Sequence, residues 1–264
     1  MQNEIMIRFV FFAGLFAAFA VLEMILPLRA HAQKRRARWT TNLSISLIDA
    51  LTLRLFALLI PLLAVGAALD AASKNWGIFN KLEWSIFLEF VIAVLILDFA
   101  IWFQHFLTHK IPILWRIHRV HHADRDMDVT TSVRFHPVEI FLSMLLKIAL
   151  VYALGPSALA VICFEILLNG AAIFNHANIQ LPRILDKVLR IILVTPDMHR
   201  IHHSIHQYEH DSNYGFSLSF WDRIFGTYVP QPREKHESMI LGLEWQDDKP
   251  SKLKWNLLLP FIRN

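Results

Sequence analysis

The sequence predicts an all-α, multi-pass membrane helical bundle with a helical cap that holds a histidine-rich di-metal site. Of its 264 residues, 55% are hydrophobic, which is above the usual share for a soluble domain, and the mean hydropathy is +0.40. Several apolar runs are long enough to cross a bilayer. Eight of the 14 histidines fall in three short clusters. The runs predict the bundle, and the clusters predict the site.

Composition also excludes several kinds of site and partner. The single cysteine, Cys163, excludes an internal disulfide and a cysteine-ligated zinc or iron–sulfur site. The formal charge of +4 fits positively charged cytoplasmic loops in a membrane protein. No segment resembles a nucleic-acid-binding module, so no nucleic-acid partner is expected.

The first predicted span is the apolar run Phe9–Pro27. Five basic residues follow this run instead of preceding it: Arg29, Lys34, Arg35, Arg36 and Arg38. A secretory signal peptide has the opposite arrangement. We therefore expect an uncleaved helix whose C-terminal end is cytoplasmic.

The second and third predicted spans are Asn42–Leu69 and Trp84–Phe106. Asp49 and Arg54 in the second span should face protein, because charge facing lipid is costly. Residues 70–81 should lie on the side of the membrane away from the cytoplasm. The third span then returns to the cytoplasm and carries His105 and His109 to that face.

The apolar stretch Val138–Phe174 is interrupted by Gly155-Pro156-Ser157 and predicts a hairpin of two short spans. Lys147 and Glu165 would each lie roughly 15 Å from the cytoplasmic ends of their helices. We therefore predict an ion pair or shared polar network between them. The hairpin returns His176 to the cytoplasmic face.

Downstream, Leu181–Val194 is amphipathic and predicts a segment along the membrane interface. Residues 229–264 predict a small irregular cytoplasmic tail, with Trp255–Phe261 returning to the membrane surface. Three regions of one integral membrane unit are expected: N-terminal transmembrane helices at 1–97, a histidine-bearing domain at 98–228 and the tail.

The histidine clusters have the spacing of metal ligands. They are His105-x3-His109, His118-x2-His121-His122 and His199-x2-His202-His203. On a helix, residues three and four apart share a face, so each cluster aims its imidazoles at one point. Imidazole suits iron, copper, zinc and nickel. Eight ligands are too many for one ion, so two metals are the simplest interpretation.

These clusters, in this order in a membrane protein, resemble the fatty acid hydroxylase/sterol desaturase superfamily of membrane di-iron oxygenases. The resemblance runs from about Asp98 to Tyr228, and the tracts 211–215 and 221–228 are similar to bacterial members. It implies an O2-dependent oxidoreductase that hydroxylates or desaturates a lipid C–H bond. Fatty acyl, sterol, carotenoid and ether-lipid substrates all remain open.

The resemblance also implies cofactors, a partner and a location. The cofactors are two iron ions (Fe2+/Fe3+), with electrons from a separate electron-transfer protein. The location is an integral, multi-pass protein of a bacterial inner membrane. The positions of the basic residues and the lengths of the spans, and not the resemblance, predict that the metal site is cytoplasmic. The implied metal ligands are His105, His109, His118, His121, His122, His176, His199, His202 and His203.

Outside the three clusters, His176 resembles the isolated ligand of this family. Some members have a further histidine four residues earlier, where this chain has Ala172, so a tenth ligand stays open. His136 is expected in a loop or beside the ligands. Surface or supporting positions are expected for His31, His206, His210 and His236.

Asp98 shares a helical stripe with Trp102, His105 and His109. An acid within a span marks a functional site by default. We expect Asp98 to accept a hydrogen bond from a ligand histidine and fix its tautomer. The alternative is a partner for Asn or Arg on a neighbouring helix. Similar supporting roles are open for Asp197, Glu209 and Asp211.

Trp102 and Phe103 immediately precede His105 and are expected to line the substrate's approach. The alternative is an interfacial aromatic belt. Two other function classes also stay open. A metal transporter would hold its ligands near the bilayer midplane, whereas these lie at helix ends. A zinc hydrolase would use three protein ligands and leave most of these histidines unexplained.

Overall fold

The computed structural model describes residues 4–59 and 63–262. Within these ranges, five helices are long and apolar enough to cross a membrane. They are α1 (Glu4–Ile25), α2 (Arg35–Leu59), α4 (Ile86–Lys110), α6 (Pro137–Leu154) and α7 (Ala158–His176). The short helix α3 (Ala64–Ser73) packs against α6 and α7. The predicted all-α multi-pass bundle is confirmed.

Shorter helical segments of the described ranges form the cap, together with the loops between them and two 3-10 turns, Lys249–Ser251 and Leu259–Phe261. They are α5 (Pro112–His122), α8 (Arg183–Leu189), α9 (Pro196–His202), α10 (Gln207–His210), α11 (Phe220–Ile224), α12 (Leu253–Leu258) and the 3-10 turn Val129–Val133. Within the described ranges, β-pairing is limited to three isolated bridges.

The second predicted span has different bounds in the structure. Helix α2 begins at Arg35, seven residues before the predicted start, because Arg38 is buried against acids of the cap. It ends at Leu59, and Ala64–Ser73 is a separate helix. Positions 60–62 of the predicted span lie outside the described residues.

The predicted hairpin of two short spans is confirmed, and its turn depends on a glycine. Helix α6 ends at Gly155, whose φ of 69° is the left-handed conformation common after helix ends. A Cβ on Gly155 would also lie 2.5 Å from the carbonyl oxygen of Trp76. Ser157 then caps α7 by accepting a hydrogen bond from the backbone N–H of Ala160.

The predicted contact between Lys147 and Glu165 is also confirmed. The Lys147 Nζ lies 3.0 Å from the Glu165 Oε1. Arg8 of α1 adds a second ion pair, 2.6 Å from the Glu165 Oε2, and itself lies 3.5 Å from Glu4. Two cations and two carboxylates thus form one polar network that joins α1 to the α6–α7 hairpin.

Glu23 ties the end of α1 to the cap. Its Oε1 accepts hydrogen bonds from the backbone N–H groups of Val129 and Asn178, at 2.8 and 2.7 Å. These donors lie in the 3-10 turn and directly after α7. Glu23 of α1 therefore holds two backbone segments that lie next to the histidines.

The C-terminal region is more closely packed than a peripheral tail. Leu259 is buried in a cluster with Ile45 of α2 and Val120 of α5. Asn256 accepts a hydrogen bond from Arg134, which lies in the loop before α6. In the predicted interfacial segment, α8 is short and Ile184 is 80% exposed, so its interfacial placement stays a prediction.

Candidate metal centre

Nine histidine side chains meet where α4, α5, α7 and α9 end or begin. They form two groups, and within each group one nitrogen per histidine lies within 4.8 Å of the others. The first group is His105, His109, His118, His122 and His202. The second group is His121, His176, His199 and His203. The structure thus brings together all nine residues that the sequence predicted as metal ligands.

Local sequence explains this convergence. Lys110 ends α4, and Pro112 opens α5 at a position that needs no N–H donor. The break between α4 and α5, which are consecutive in the sequence, lets the histidines of the two helices face each other. Thr195 caps α9 by accepting a hydrogen bond from the backbone N–H of Met198, and Pro196 follows it.

Hydrogen bonds fix which nitrogen of several rings carries the proton. A carbonyl oxygen only accepts, so a ring nitrogen bonded to it must be N–H. For four rings the Nδ1 faces a backbone carbonyl, leaving a lone pair on Nε2. The acceptors are Tyr214 for His105 (2.7 Å), Ser212 for His202 (2.7 Å), Ala172 for His176 (2.7 Å) and Arg134 for His121 (3.2 Å).

The Nε2 atoms of these rings face one another at short range. The His105 and His202 Nε2 atoms are 3.0 Å apart, and those of His121 and His176 are 3.1 Å apart. In each pair, both rings carry their proton on Nδ1. The two facing Nε2 atoms therefore have no proton between them and cannot form a hydrogen bond. Two lone pairs at this distance repel, and a cation bound by both removes the repulsion. These residues fit a metal.

Burial and mutual repulsion favour the neutral form of five histidines in the cap. Burial, together with neighbouring histidines, lowers the pKa of His121, His122, His199, His202 and His203 well below the usual range. Neutral imidazole is the form that binds metal. Both ring nitrogens of His203 and the Nε2 of His122 are buried without a hydrogen-bond partner in the described chain.

A carboxylate that the sequence did not single out lies beside the site. The Glu139 Oε1 is 2.6 Å from the Nδ1 of His118, whose Nε2 faces that of His105 at 3.0 Å. Carboxylates in this position orient a histidine and increase its basicity. The one sequence feature that could have indicated this role is the position of Glu139, an acidic residue in the first turn of the apolar helix α6.

Asp98 is buried as expected, but its predicted hydrogen bond from a histidine is absent. Its Oδ2 accepts from the indole Nε1 of Trp221 at 2.9 Å. The nearest candidate on the same stripe, His105, already donates its Nδ1–H to Tyr214. The prediction of this partner was wrong because spacing along α4 does not show where the 214–222 loop returns.

Asp222 holds that loop in place. Its Oδ1 accepts from the backbone N–H of Tyr214 at 2.8 Å, and its Oδ2 accepts from that of Gly215 at 2.9 Å. Trp102 donates its indole N–H to the Oδ1 at 3.1 Å. Asp222 therefore positions the carbonyl that fixes His105, a role that no spacing in the sequence predicts.

Trp102 and Phe103 do not line the cavity beside the histidines. That cavity, about 150 Å3, touches His105 and His118. Trp102 is 3% exposed and stacks on Phe225 with ring centroids 4.6 Å apart. Phe103 is 45% exposed. The predicted approach along these two aromatics is not what the structure shows, because Ile101 and Gln104 occupy the cavity-facing side of α4.

The remaining candidate residues lie outside the two groups. The His136 Nδ1 accepts from the backbone N–H of Val138 at the start of α6, and the His210 ring stacks on Trp115. Asp211 lies 3.5 Å from the Nδ1 of His109. The other contacts are Asp197 with Arg200, Glu209 with the backbone of Arg233, and His206 with Glu234.

Buried ion pairs support the segment that follows the histidine cluster of α5. Arg38 of α2 lies 2.7 Å from both Asp124 and Asp128, and Asn42 donates to Asp124 at 3.0 Å. Burial alone would raise the pKa of Asp124, but the Arg38 guanidinium brings it well below its usual value. These ion pairs hold the segment that directly follows His121 and His122.

The sequence is similar to those of several lipid monooxygenases and hydroxylases. The chain is 32% identical over 164 residues to alkylglycerol monooxygenase of Xenopus tropicalis, covering 62% of this chain and 34% of that protein. The human alkylglycerol monooxygenase is 29% identical, covering 64% of this chain and 36% of its own length. Ornithine lipid hydroxylase OlsE of Rhizobium tropici is 28% identical, covering 82% and 65%.

The chain therefore spans about a third of the two alkylglycerol monooxygenases and under two thirds of the ornithine lipid hydroxylase. No solved structure matches it significantly. The fatty acid hydroxylase profile matches residues 90–227, just over half of the chain and all nine clustered histidines. The chain belongs to the fatty acid hydroxylase family.

Proposed function

We propose that this chain is a membrane-bound di-iron oxygenase that uses O2 to hydroxylate a C–H bond of a lipid. Its relatives are named for oxidation of alkylglycerols and ornithine lipids, and a more distant one is a sphinganine C4-monooxygenase from Arabidopsis thaliana. These names favour hydroxylation over desaturation. They also disfavour a zinc hydrolase or a metal transporter.

The observation that carries the proposal is the pairing of Nε2 lone pairs. In the first group, His105 directs its lone pair at that of His202. In the second group, His121 does the same toward His176. We therefore assign one ion to each group, and iron as the metal. Two irons held here would supply electrons for the cleavage of O2, and they would allow oxidation of an unactivated C–H bond.

The chain's own residues orient the ligands and exclude water. Backbone carbonyls accept hydrogen bonds from the Nδ1–H groups of His105, His121, His176 and His202, which directs the Nε2 of these four rings inward. Glu139 accepts a hydrogen bond from the Nδ1–H of His118 and so places a carboxyl group beside the histidine ligands. Burial of the rings keeps bulk water away from the reacting carbon.

We propose a separate electron-transfer protein as the donor. Asp211 supports an approach from the cap, because it is partly exposed and lies 3.5 Å from His109. We propose that the cap is cytoplasmic in a bacterial inner membrane. Support comes from the basic residues after α1 and around α5, which follow the positive-inside pattern.

Metal analysis of purified variants tests the two-ion arrangement. His202→Ala removes a ligand from the first group and His121→Ala removes one from the second. Each variant should lose about half of the bound iron, because the group that does not contain the substituted residue keeps all its ligands. Each should also lose nearly all lipid-dependent O2 consumption, because the reaction needs both ions. His236→Ala, outside both groups, is the matched control and should keep its iron. Full iron and full turnover in both site variants would reject the proposed centre.

Lipid analysis identifies the substrate class. Cells with and without the gene, grown in air, should differ in one hydroxylated lipid, and the same comparison without O2 should show no difference. An identical lipid profile in air would contradict the oxygenase assignment.

A further inference from the structure

The cavity beside the metal centre is small and has a polar wall. It lies between α4, α6 and α7, has a volume of about 150 Å3, and reaches His105 and His118. A cavity of this size holds a molecule such as benzene, about six non-hydrogen atoms. It therefore encloses only a short segment of a lipid, and the rest of the lipid must lie outside it.

Helix α6 gives one polar face to this cavity. Glu139, Ser143 and Lys147 all line it, and they are spaced by four residues, so they form one stripe. The stripe is roughly 12 Å long at 1.5 Å per residue. Polar groups within a membrane span are costly, and a plain hydrocarbon chain gives them no partner. The wall is thus unlike a simple hydrocarbon channel.

Most of the charged groups around the cavity have partners within the protein. Lys147 pairs with Glu165, and Glu139 accepts from His118. Gln104 has no side-chain hydrogen bond in the described chain and its Oε1 is buried, whereas Glu139 leaves only its Oε2 without a partner. An unsatisfied buried acceptor costs about 1–3 kcal/mol. Gln104 directly precedes His105 on α4, and both residues line this cavity.

A carboxamide both donates and accepts hydrogen bonds. Its best partners are groups that do the same, namely a hydroxyl or an amide. A carboxylate has no proton to donate, and the network of Glu4, Arg8, Lys147 and Glu165 has no net formal charge to attract it.

We propose that Gln104 is a specificity-determining residue that binds a hydroxyl or amide group of the lipid substrate. Because the cavity holds about six non-hydrogen atoms, that group lies within about five bonds of the carbon that is oxidised. This inference rests on the proposed oxygenase function, and it names the substrate class: lipids with a neutral hydrogen-bonding group close to the reacting carbon.

Lipid binding to the full-length, iron-loaded protein in nanodiscs tests the proposal. Four probes share a sixteen-carbon chain: 1-O-hexadecylglycerol, N-methylhexadecanamide, hexadecanoate and hexadecane. Native mass spectrometry gives the bound fraction at each concentration. The wild type should bind the first two more tightly than the last two.

Gln104→Met keeps the length of the side chain and removes its hydrogen bonds. It should weaken binding of the hydroxyl and amide probes by about tenfold, with hexadecane unchanged and iron retained. Gln207→Met, at an exposed site on α10, is the matched control and should bind all four as the wild type does. If Gln104→Met does not fold, Gln104→Asn, which withdraws the same group by one methylene, should give the same direction of change.

Equal wild-type binding of all four probes, or unchanged binding in a folded Gln104 variant, would overturn the proposal. Its failure is distinguishable from failure of the oxygenase function. A protein that keeps the binding preference and its dependence on Gln104 supports the inference, even if it oxidises none of the lipids with iron and a reductant present. Absence of lipid oxidation, with the binding preference retained, counts against the oxygenase assignment alone.

Discussion

The polar network between α1 and the α6–α7 hairpin predicts strong energetic coupling between Lys147 and Glu165. The Glu165 side chain is 4% exposed and contacts two cations, Lys147 at 3.0 Å and Arg8 at 2.6 Å. Glu165→Gln leaves both cations facing a neutral group. We expect it to lower the free energy of unfolding by about 3–5 kcal/mol, the usual cost of breaking a buried pair.

Lys147→Met should cost less than Glu165→Gln, because Glu165 keeps its ion pair with Arg8. We expect about 1.5–3 kcal/mol, the range for a hydrogen bond to a charged group. In the double variant only Arg8 lacks its partner on α7. Its side chain is 34% exposed and reaches Glu4, so water and Glu4 reduce its penalty. The double variant should therefore lose less than the sum of the two single losses, by about 1–3 kcal/mol.

Reversible unfolding of the four proteins in mixed micelles measures this coupling. Lys74→Met is the matched control, since Lys74 and Asp70 form an exposed pair at 2.9 Å; it should cost under about 1 kcal/mol. Additive losses from Lys147→Met and Glu165→Gln would show that the two residues do not interact, and would refute the reasoning.

Three further predictions concern topology, the site and the core. In a Cys163-free background, a cysteine at position 75 should be labelled from outside the cell only; labelling solely from the cytoplasm would reverse the proposed orientation. Glu139→Gln should weaken iron binding about 10–100-fold through His118 while leaving the fold intact, and unchanged iron affinity would dismiss its role. Trp102→Ala should lower the unfolding free energy by about 3–5 kcal/mol without changing the oxidised carbon, and a shifted product position would restore Trp102 to the substrate path.

Much of the fold was predictable because the bilayer limits the choices. Run length and the Gly155-Pro156-Ser157 break predicted the hairpin, and depth along two helices predicted the contact between Lys147 and Glu165. Helix α2 begins earlier than predicted. A charged residue such as Arg38 is typical of a loop, and only its ion pairs with Asp124 and Asp128 explain why it lies in a helix. Local sequence does not show such long-range pairs.

The histidine groups were predictable from spacing, but their supporting contacts were not. Spacing along α4 put Asp98 on the histidine stripe, yet the 214–222 loop gives its own carbonyl to His105 and its Trp221 to Asp98. Glu139 follows His118 by 21 residues, so no helical periodicity links them. Such contacts depend on the path of loops, which hydrophobic patterning does not determine.

The carbonyls that fix the ring protons have a consequence for variation at this site. They belong to the main chain at Ala172, Ser212 and Tyr214, so replacing any of these side chains leaves the acceptor in place. Loss of a single residue between Ser212 and Asp222 would instead shift the carbonyls relative to the rings. The loop should therefore tolerate exchange of many side chains and tolerate almost no change of length, and a deletion scan would separate these two kinds of change.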